Sequence, residues 1–159
     1  MADLKTFRSV LTGDFTVTAR PEPIPGDLRV RWGQSLLIMV LASARGQRCS
    51  VQKVHFLAHV SRTGVLRDTT REVLARKRNS IALAIRIEPW VNRAAAFAKA
   101  NGLVEVRDGK ALALSDEGKA AAKTIRKEGL LADETAFLDE VGKFMTEQVV
   151  EKIMKMESI

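Results

Sequence analysis

The chain has 159 residues, a formal charge of +7 and 46% hydrophobic residues, which suits one folded domain around one hydrophobic core. Cys49 is the only cysteine, which excludes an intramolecular disulfide, and the most apolar run, residues 36–44, is too short to span a bilayer. We therefore expect a soluble, cytoplasmic protein with no membrane contact, whose basic charge favours polyanionic partners.

Residues 1–28 are predicted to form an N-terminal arm that ends in a proline connector. Pro21, Pro23 and Pro25 restrict the backbone there and stop any regular element. An arm of this kind either binds a neighbouring chain or packs on its own domain, and the sequence leaves both alternatives open.

Two helices are predicted to follow the arm. Residues 32–44 are apolar nearly all round, which is typical of a helix at the centre of a fold, and Gly46 ends it. Ser50 then caps a second helix, in which Val51, Val54 and Leu57 recur at helical spacing.

The segment 61–80 is predicted to form a further helix with a basic side. Between residues 61 and 87 there are seven basic and two acidic side chains. Arg67, Arg71 and Arg78 are expected on one side of that helix, where clustered guanidinium groups can bind a nucleic-acid backbone whatever its sequence. These three arginines are therefore predicted DNA contacts.

The apolar alternation over 81–87 predicts a strand that joins a sheet as its third member.

The next stretch is predicted to form a helix, a hairpin and a returning helix. Pro89 opens the helix and Gly102 follows its end. Asp108 and Gly109 supply the turn of a tight hairpin, and Ser115 caps the returning helix. This order of elements is typical of the second half of a winged helix-turn-helix.

The predicted fold is therefore mainly α with a small β-sheet. Residues 29–130 form a winged helix-turn-helix domain that carries the helix of 61–80 as an insertion. The helix before the hairpin occupies the position of a recognition helix, yet it has few polar residues, whereas base reading needs several donors or acceptors on one face. We expect it to bind a protein partner instead, through Arg93, Ala95 and Ala98.

The predicted wing hairpin carries two basic residues, Arg107 and Lys110. Both are predicted to contact a DNA backbone without sequence specificity. Charges at a hairpin tip also prevent association between strand edges, and this alternative stays open.

Residues 131–159 are predicted to form one long amphipathic helix. Its apolar stripe is wider than a small domain needs, and Gly142 is expected to introduce a local bend. The stripe either covers the core of its own domain or forms an interface for self-association or complex formation. We expect both, with the distal half outward, and assign Phe144, Val149 and Ile153 to partner binding.

No pattern in the chain indicates catalysis, so we expect a protein that is not an enzyme and uses no cofactor. There is no phosphate-binding glycine loop and no nucleophile elbow. His55 and His59 lie one helical turn apart, a spacing that can bind a metal, but the glutamate of the zinc-protease motif does not follow His55. We expect both histidines at the surface or at the edge of the core.

A series of short motifs in the second half of the chain resembles one known family. The motifs are Arg86-Ile87-Glu88-Pro89, Asn92-Arg93-Ala94, Phe97-Ala98, Gly102-Leu103-Val104, Leu114-Ser115 with Gly118, Phe137-Leu138, Gly142-Lys143 and Thr146-Glu147. Over residues 29–150 the chain is similar to the middle components of ABC three-component systems. These include the small subunit of Lamassu-type bacterial defence complexes.

The resemblance implies a non-catalytic winged-helix subunit held beside an SMC-like ATPase and an effector, commonly a nuclease, in antiviral or anti-plasmid defence. In such systems the effector is released or activated when foreign DNA is sensed. A second function from a different class stays open, a stand-alone winged-helix transcriptional regulator of the MarR-like sort. The sparse recognition helix favours the defence subunit, whereas the wing and the basic charge favour the regulator.

Overall fold

The computed structural model describes residues 26–155, so residues 1–25 of the arm predicted over 1–28 lie outside the described residues. Two short 3₁₀ helices lie at Arg45–Gln47 and Ser80–Leu83. The predicted class, mainly helical with a small antiparallel sheet, is confirmed. In chain order the helices and strands are α1 (Gly26–Ser43), β1 (Arg48–Ser50), α2 (Val51–Ser61), α3 (Gly64–Leu74), α4 (Pro89–Ala100), β2 (Val104–Arg107), β3 (Ala111–Leu114), α5 (Asp116–Lys127), α6 (Ala132–Val141) and α7 (Glu147–Met154).

Helix α1 lies at the centre of the fold, as predicted. Leu36, Leu37, Met39, Val40 and Leu41 are all completely buried, and α2, α4, α5 and α6 pack around them. A helix that is apolar nearly all round is stable in water only when neighbours cover each side of it. Among residues 26–155, no helix combines the length and the apolar character needed to cross a membrane.

The three strands form one antiparallel sheet in the order β1–β3–β2. Cys49 of β1 and Val106 of β2 both lie opposite Leu112 of the central strand. The hairpin turn uses Asp108 (φ 52°) and Gly109 (φ 65°), because a tight hairpin requires the left-handed backbone conformation there. The predicted hairpin is therefore confirmed.

The predicted strand over 81–87 is wrong. Asn79 starts a 3₁₀ helix there, since its side chain accepts a hydrogen bond from the Ile81 N–H (2.9 Å), and Ala84 then turns into the left-handed region (φ 43°). Both edges of β3 are already paired with β1 and β2, so the segment has no edge of β3 to join. The third strand is β1, whose three residues are too few to show an alternating pattern.

Ser115 joins the hairpin to α5 and is the cap that the sequence predicted. Its hydroxyl donates to the Gly102 carbonyl (2.6 Å) and accepts from the Gly118 N–H (3.0 Å). A Cβ at position 118 would collide with the Leu103 carbonyl oxygen, so the close approach of helix and strand requires glycine.

The predicted single C-terminal helix is wrong, because the described part of this segment forms two helices, α6 and α7. Gly142 lies at the break, where a Cβ would come within 2.9 Å of the Ser43 carbonyl oxygen. Thr146 then caps α7 by accepting a backbone N–H hydrogen bond (3.2 Å). The break returns α7 to the body, so its apolar stripe faces inward rather than outward, with Val150 and Ile153 each 1% exposed.

Candidate functional site

The helix predicted within 61–80 is present as α3, and its Arg67 and Arg71 lie against α6. The Arg67 side chain is only 13% exposed. Its guanidinium donates to the Ser61 carbonyl (2.8 Å) and lies 3.4 Å from the Asp133 carboxylate and 3.9 Å from that of Glu134. Arg67 therefore ties α3 to the first turn of α6.

Arg71 and Arg78 are also paired with carboxylates of the same chain. Arg71 donates to Glu140 through Nε (2.9 Å) and Nη2 (2.8 Å), and hydrogen bonding to Glu140 raises the pKa of Arg71 above its ordinary value. Arg78 lies beyond the end of α3, not on its side as expected, and donates to Glu72 (3.1 Å). The three DNA contacts predicted in this segment are thus engaged with acidic side chains.

The predicted partner-binding residues of α4 lie on both of its sides. Ala98 is completely buried and Ala95 is half-buried against the core, so both pack on their own domain. Arg93 is on the exposed side. Phe97, which sequence reasoning did not assign to a partner, is 48% exposed on the same helix.

The three residues assigned to partner binding in the C-terminal segment also differ in exposure. Ile153 lies in the core, Val149 is half-buried against it, and Phe144 is 65% exposed. Phe144 borders a hollow that Arg71 and Glu140 also line. Phe144 is therefore the member of this set that remains open to a partner.

His55 and His59 attach α2 to the segment that leads into α4. His59 places Nδ1 3.0 Å from the Glu88 carboxylate and Nε2 3.2 Å from the Leu83 carbonyl oxygen. His55 places Nε2 3.0 Å from the Asn92 side-chain oxygen. Among residues 26–155, no three His, Cys, Asp or Glu side chains gather in a way that could hold a metal ion.

A cleft with a basic lining opens between the β2–β3 hairpin, the start of α2 and the connection between α6 and α7. Its volume is about 980 Å³. Both predicted wing contacts line it, and Arg107 forms an ion pair with Glu105 (2.6 Å). We call this feature the basic cleft; in the described part of the chain its charged lining consists of Arg45, Arg48, Lys53, Arg107, Lys110 and Lys143 with Asp108 and Glu147.

Lys53 is the most covered cation of the basic cleft, with only 6% of its surface exposed, and its ammonium nitrogen still reaches solvent. Its backbone N–H donates to the Ser50 hydroxyl (3.1 Å), which places it in the capped first turn of α2. Within residues 26–155 its ammonium group has no hydrogen bond and no ion pair. The positive end of the α2 dipole adds to the field at the same place.

Glu147 and Cys49 also line the cleft close to Lys53. The Glu147 carboxylate accepts from the Ser50 N–H (3.1 Å) and the Ser50 hydroxyl (2.6 Å), which joins α7 to α2. Burial raises the pKa of the Cys49 thiol to about 12; the Lys53 charge opposes this shift and the Glu147 charge adds to it. Cys49 is therefore a packed, protonated thiol at neutral pH.

Sequence reasoning identified the two wing residues of the basic cleft and missed the others. No motif or spacing connects the missed residues, because they come from separate elements that meet only in the fold. One signal was available at Lys53, a single cation directly before a run of residues that are buried from 54 to 60. The missed cations are Arg45, Arg48, Lys53 and Lys143.

Three exposed features are thus open to a partner: the basic cleft, the outer side of α4 around Phe97, and Phe144. They lie on different elements, so one partner need not cover all three. No protein-family model, curated protein or solved structure is significantly similar to this chain.

Proposed function

We propose that this chain is a non-catalytic winged-helix accessory subunit of an SMC-like ATPase defence complex. In this role it bridges the ATPase and the effector subunit, with or without a direct contact to the DNA backbone. The family resemblance in the motifs described above motivates the choice of partners.

The main support is the order and pairing of the elements. A winged helix-turn-helix places a helix and a first strand before a second helix, then a recognition helix and a hairpin whose returning strand pairs with the first strand. Here α1, β1 and α2 are followed by α4, β2 and β3, and β1 pairs with β3. Helix α3 is the additional element between the two halves.

The surface of α4 supports a protein partner over base reading. Its exposed long polar side chains are Asn92, Arg93 and Lys99, and the Asn92 oxygen already faces His55 (3.0 Å). Reading bases in a groove usually takes several donors or acceptors that project freely from one face. Phe97 instead offers an exposed aromatic ring, a residue type enriched at protein interfaces.

The test is reconstitution with the products of the neighbouring reading frames. We expect an SMC-like ATPase to co-purify with the wild-type chain and to be lost with Phe97→Glu, which places a charge in the proposed contact. Val65→Glu is the matched control, because Val65 is 77% exposed on α3, away from α4. Failure of any SMC-like ATPase to bind the wild-type chain would reject the proposal.

The basic lining of the wing favours the second function, a stand-alone regulator. Arg107 and Lys110 lie on the hairpin, where they could contact a duplex next to a recognition helix. Selection from a random duplex library separates the two functions. A single enriched site, bound with at least about a thousandfold preference over other sequences, would indicate the regulator.

A further inference from the structure

We propose that the basic cleft is a binding site for a terminal phosphate group, carried by a free nucleotide or by the phosphorylated end of a nucleic-acid strand. This inference does not depend on the proposed ATPase and effector partners. Its starting point is Lys53, the most covered cation of the cleft.

Lys53 combines a covered side chain with a charge that lacks a partner within residues 26–155. Its surface is 94% covered, yet none of the carboxylates described there lies within ion-pair distance of its ammonium group. The packed part is the apolar stem, whereas the ammonium nitrogen reaches the solvent of the cleft. An external anion in the cleft can therefore contact a cation that the packing of its stem holds in place.

The surroundings of Lys53 select for an anion of high charge. Arg48, Lys110 and Lys143 line the same cleft, and none has an ion pair within residues 26–155. Glu147 lies there too, but its carboxylate already accepts two hydrogen bonds from Ser50. Several separate cations around one position suit a phosphate dianion with three acceptor oxygens better than a single carboxylate.

The shape of the cleft favours a terminal phosphate over the side of a duplex. A concave volume of about 980 Å³ is in the size range of small-molecule sites. The continuous backbone of a duplex is convex and can reach the exposed cations Arg45 and Arg48 at the rim. A terminal phosphate projects from its carrier and can enter the cleft to reach the ammonium of Lys53, whose side chain is otherwise covered.

The experiment measures binding by isothermal titration calorimetry on the full chain. The probes are ATP, pyrophosphate, and a single-stranded oligonucleotide prepared with a 5′-phosphate or a 5′-hydroxyl. Wild-type protein should bind at least one phosphate-terminated probe, and the 5′-phosphate strand, where it binds, should bind more tightly than its 5′-hydroxyl counterpart. ATP binding alone would identify a nucleotide, whereas binding of the 5′-phosphate strand alone would identify a strand end.

The decisive variant is Lys53→Met, which keeps an apolar stem of similar length. It should weaken binding of the phosphate-terminated probe by about tenfold or more, as expected for the loss of one charge-assisted hydrogen bond. Lys123→Met is the matched control, because Lys123 is exposed on α5 and does not line the cleft. It should leave binding unchanged.

Three results would overturn the assignment. They are no binding of any probe to the wild-type chain, equal loss in the Lys53 and Lys123 variants, and equal affinity for the 5′-phosphate and 5′-hydroxyl strands with no binding of ATP or pyrophosphate. If Lys53→Met does not fold, the exposed Arg48→Gln variant replaces it and must show the same selective loss. Unchanged affinity in that variant would also overturn the assignment.

Discussion

The arginines of α3 and the cations of the basic cleft have the same charge but different surroundings. Arg67 and Arg71 reach carboxylates on α6, at 3.4 Å for Asp133 and 2.8 Å for Glu140. In the cleft, Lys53, Arg48, Lys110 and Lys143 lack such partners within residues 26–155. The density of basic residues along the sequence therefore points to the α3 arginines as ligand contacts, although the cations of the basic cleft are the ones left without partners. Whether a cation is free to bind a ligand depends on which acidic segment folds onto it.

The pairing on the α3 side has a structural role. Arg71 lies with its guanidinium carbon 5.4 Å from the centre of the Phe137 ring, and Phe137 itself is completely buried. A cation over an aromatic face and a hydrogen-bonded carboxylate hold α3 and α6 together. Within residues 26–155, no such contact covers Arg48, Lys53, Lys110 and Lys143 of the basic cleft, so these charges remain available for a ligand.

The largest expected effect comes from removing α7, which packs on α2 and contributes to the core. Truncation after Gly142 deletes Met145, Val150 and Ile153, each at most 1% exposed. Each such side chain contributes about 1.5–3 kcal/mol on burial, whereas a domain of this size is stable by only about 5–15 kcal/mol. We expect the truncated chain to lose its cooperative thermal transition, as measured by circular dichroism.

A chain that ends at Lys155 is the control for this truncation, because it keeps all of α7. It should melt cooperatively, like the full chain. If the chain truncated after Gly142 also folds, α7 is not part of the core, and the α3 arginines would be less firmly closed off than the structure indicates.

Replacing Arg67 or Arg78 should lower the unfolding free energy by less than the truncation does, and by different amounts. Arg67→Ala removes a side chain that is 13% exposed and donates to the Ser61 carbonyl, so it should cost about 1–3 kcal/mol of unfolding free energy. Arg78→Ala removes an ion pair whose side chain is 54% exposed and should cost less than about 1 kcal/mol. Urea denaturation of both variants measures the difference.

An equal loss of unfolding free energy in the two arginine variants would contradict the structural role of Arg67.

A nucleic-acid titration of the same proteins sharpens the comparison with the basic cleft. Since Arg67 is already paired, its loss should leave the salt dependence of binding unchanged, whereas Lys110→Ala should reduce the salt slope by about one.

Local sequence signals predicted the parts of the fold that neighbouring residues determine. The apolar run of α1, the caps at Ser50 and Ser115, and the turn at Asp108 and Gly109 each depend on one short segment. The strand predicted over 81–87 failed because the Asn79 cap starts a 3₁₀ helix there and Ala84 turns into the left-handed region, while β1 occupies the free side of β3.

The break between α6 and α7 was missed for a related reason. Thr146 is a good helix cap, but an apolar stripe that continued past it looked like one helix. The helix breaks where Gly142 approaches Ser43 of α1, and these two residues are far apart in the sequence. The basic cleft could not be predicted either, because its lining comes together only through such contacts.

The smallest expected effect is the titration of Cys49, which reports on the buried side of the cleft. Its pKa is raised from 9.0 to about 12, so the folded state keeps the proton where the unfolded chain releases it. The contribution of Cys49 to stability is fully present below pH 9 and is lost as the pH rises from 9 towards 12. At pH 10 the loss should be about 1 kcal/mol, since one pKa unit corresponds to about 1.4 kcal/mol.

Urea denaturation of the wild-type chain and of Cys49→Ala at pH 8 and pH 10 measures this loss. The packing cost of the substitution is the same at both pH values, so it cancels when the two differences in unfolding free energy are compared. A difference that narrows by about 1 kcal/mol at pH 10 would place Cys49 in a covered position beside Lys53. A difference that does not change with pH would mean that water reaches the thiol and that Cys49 is less buried than its 3% exposure indicates.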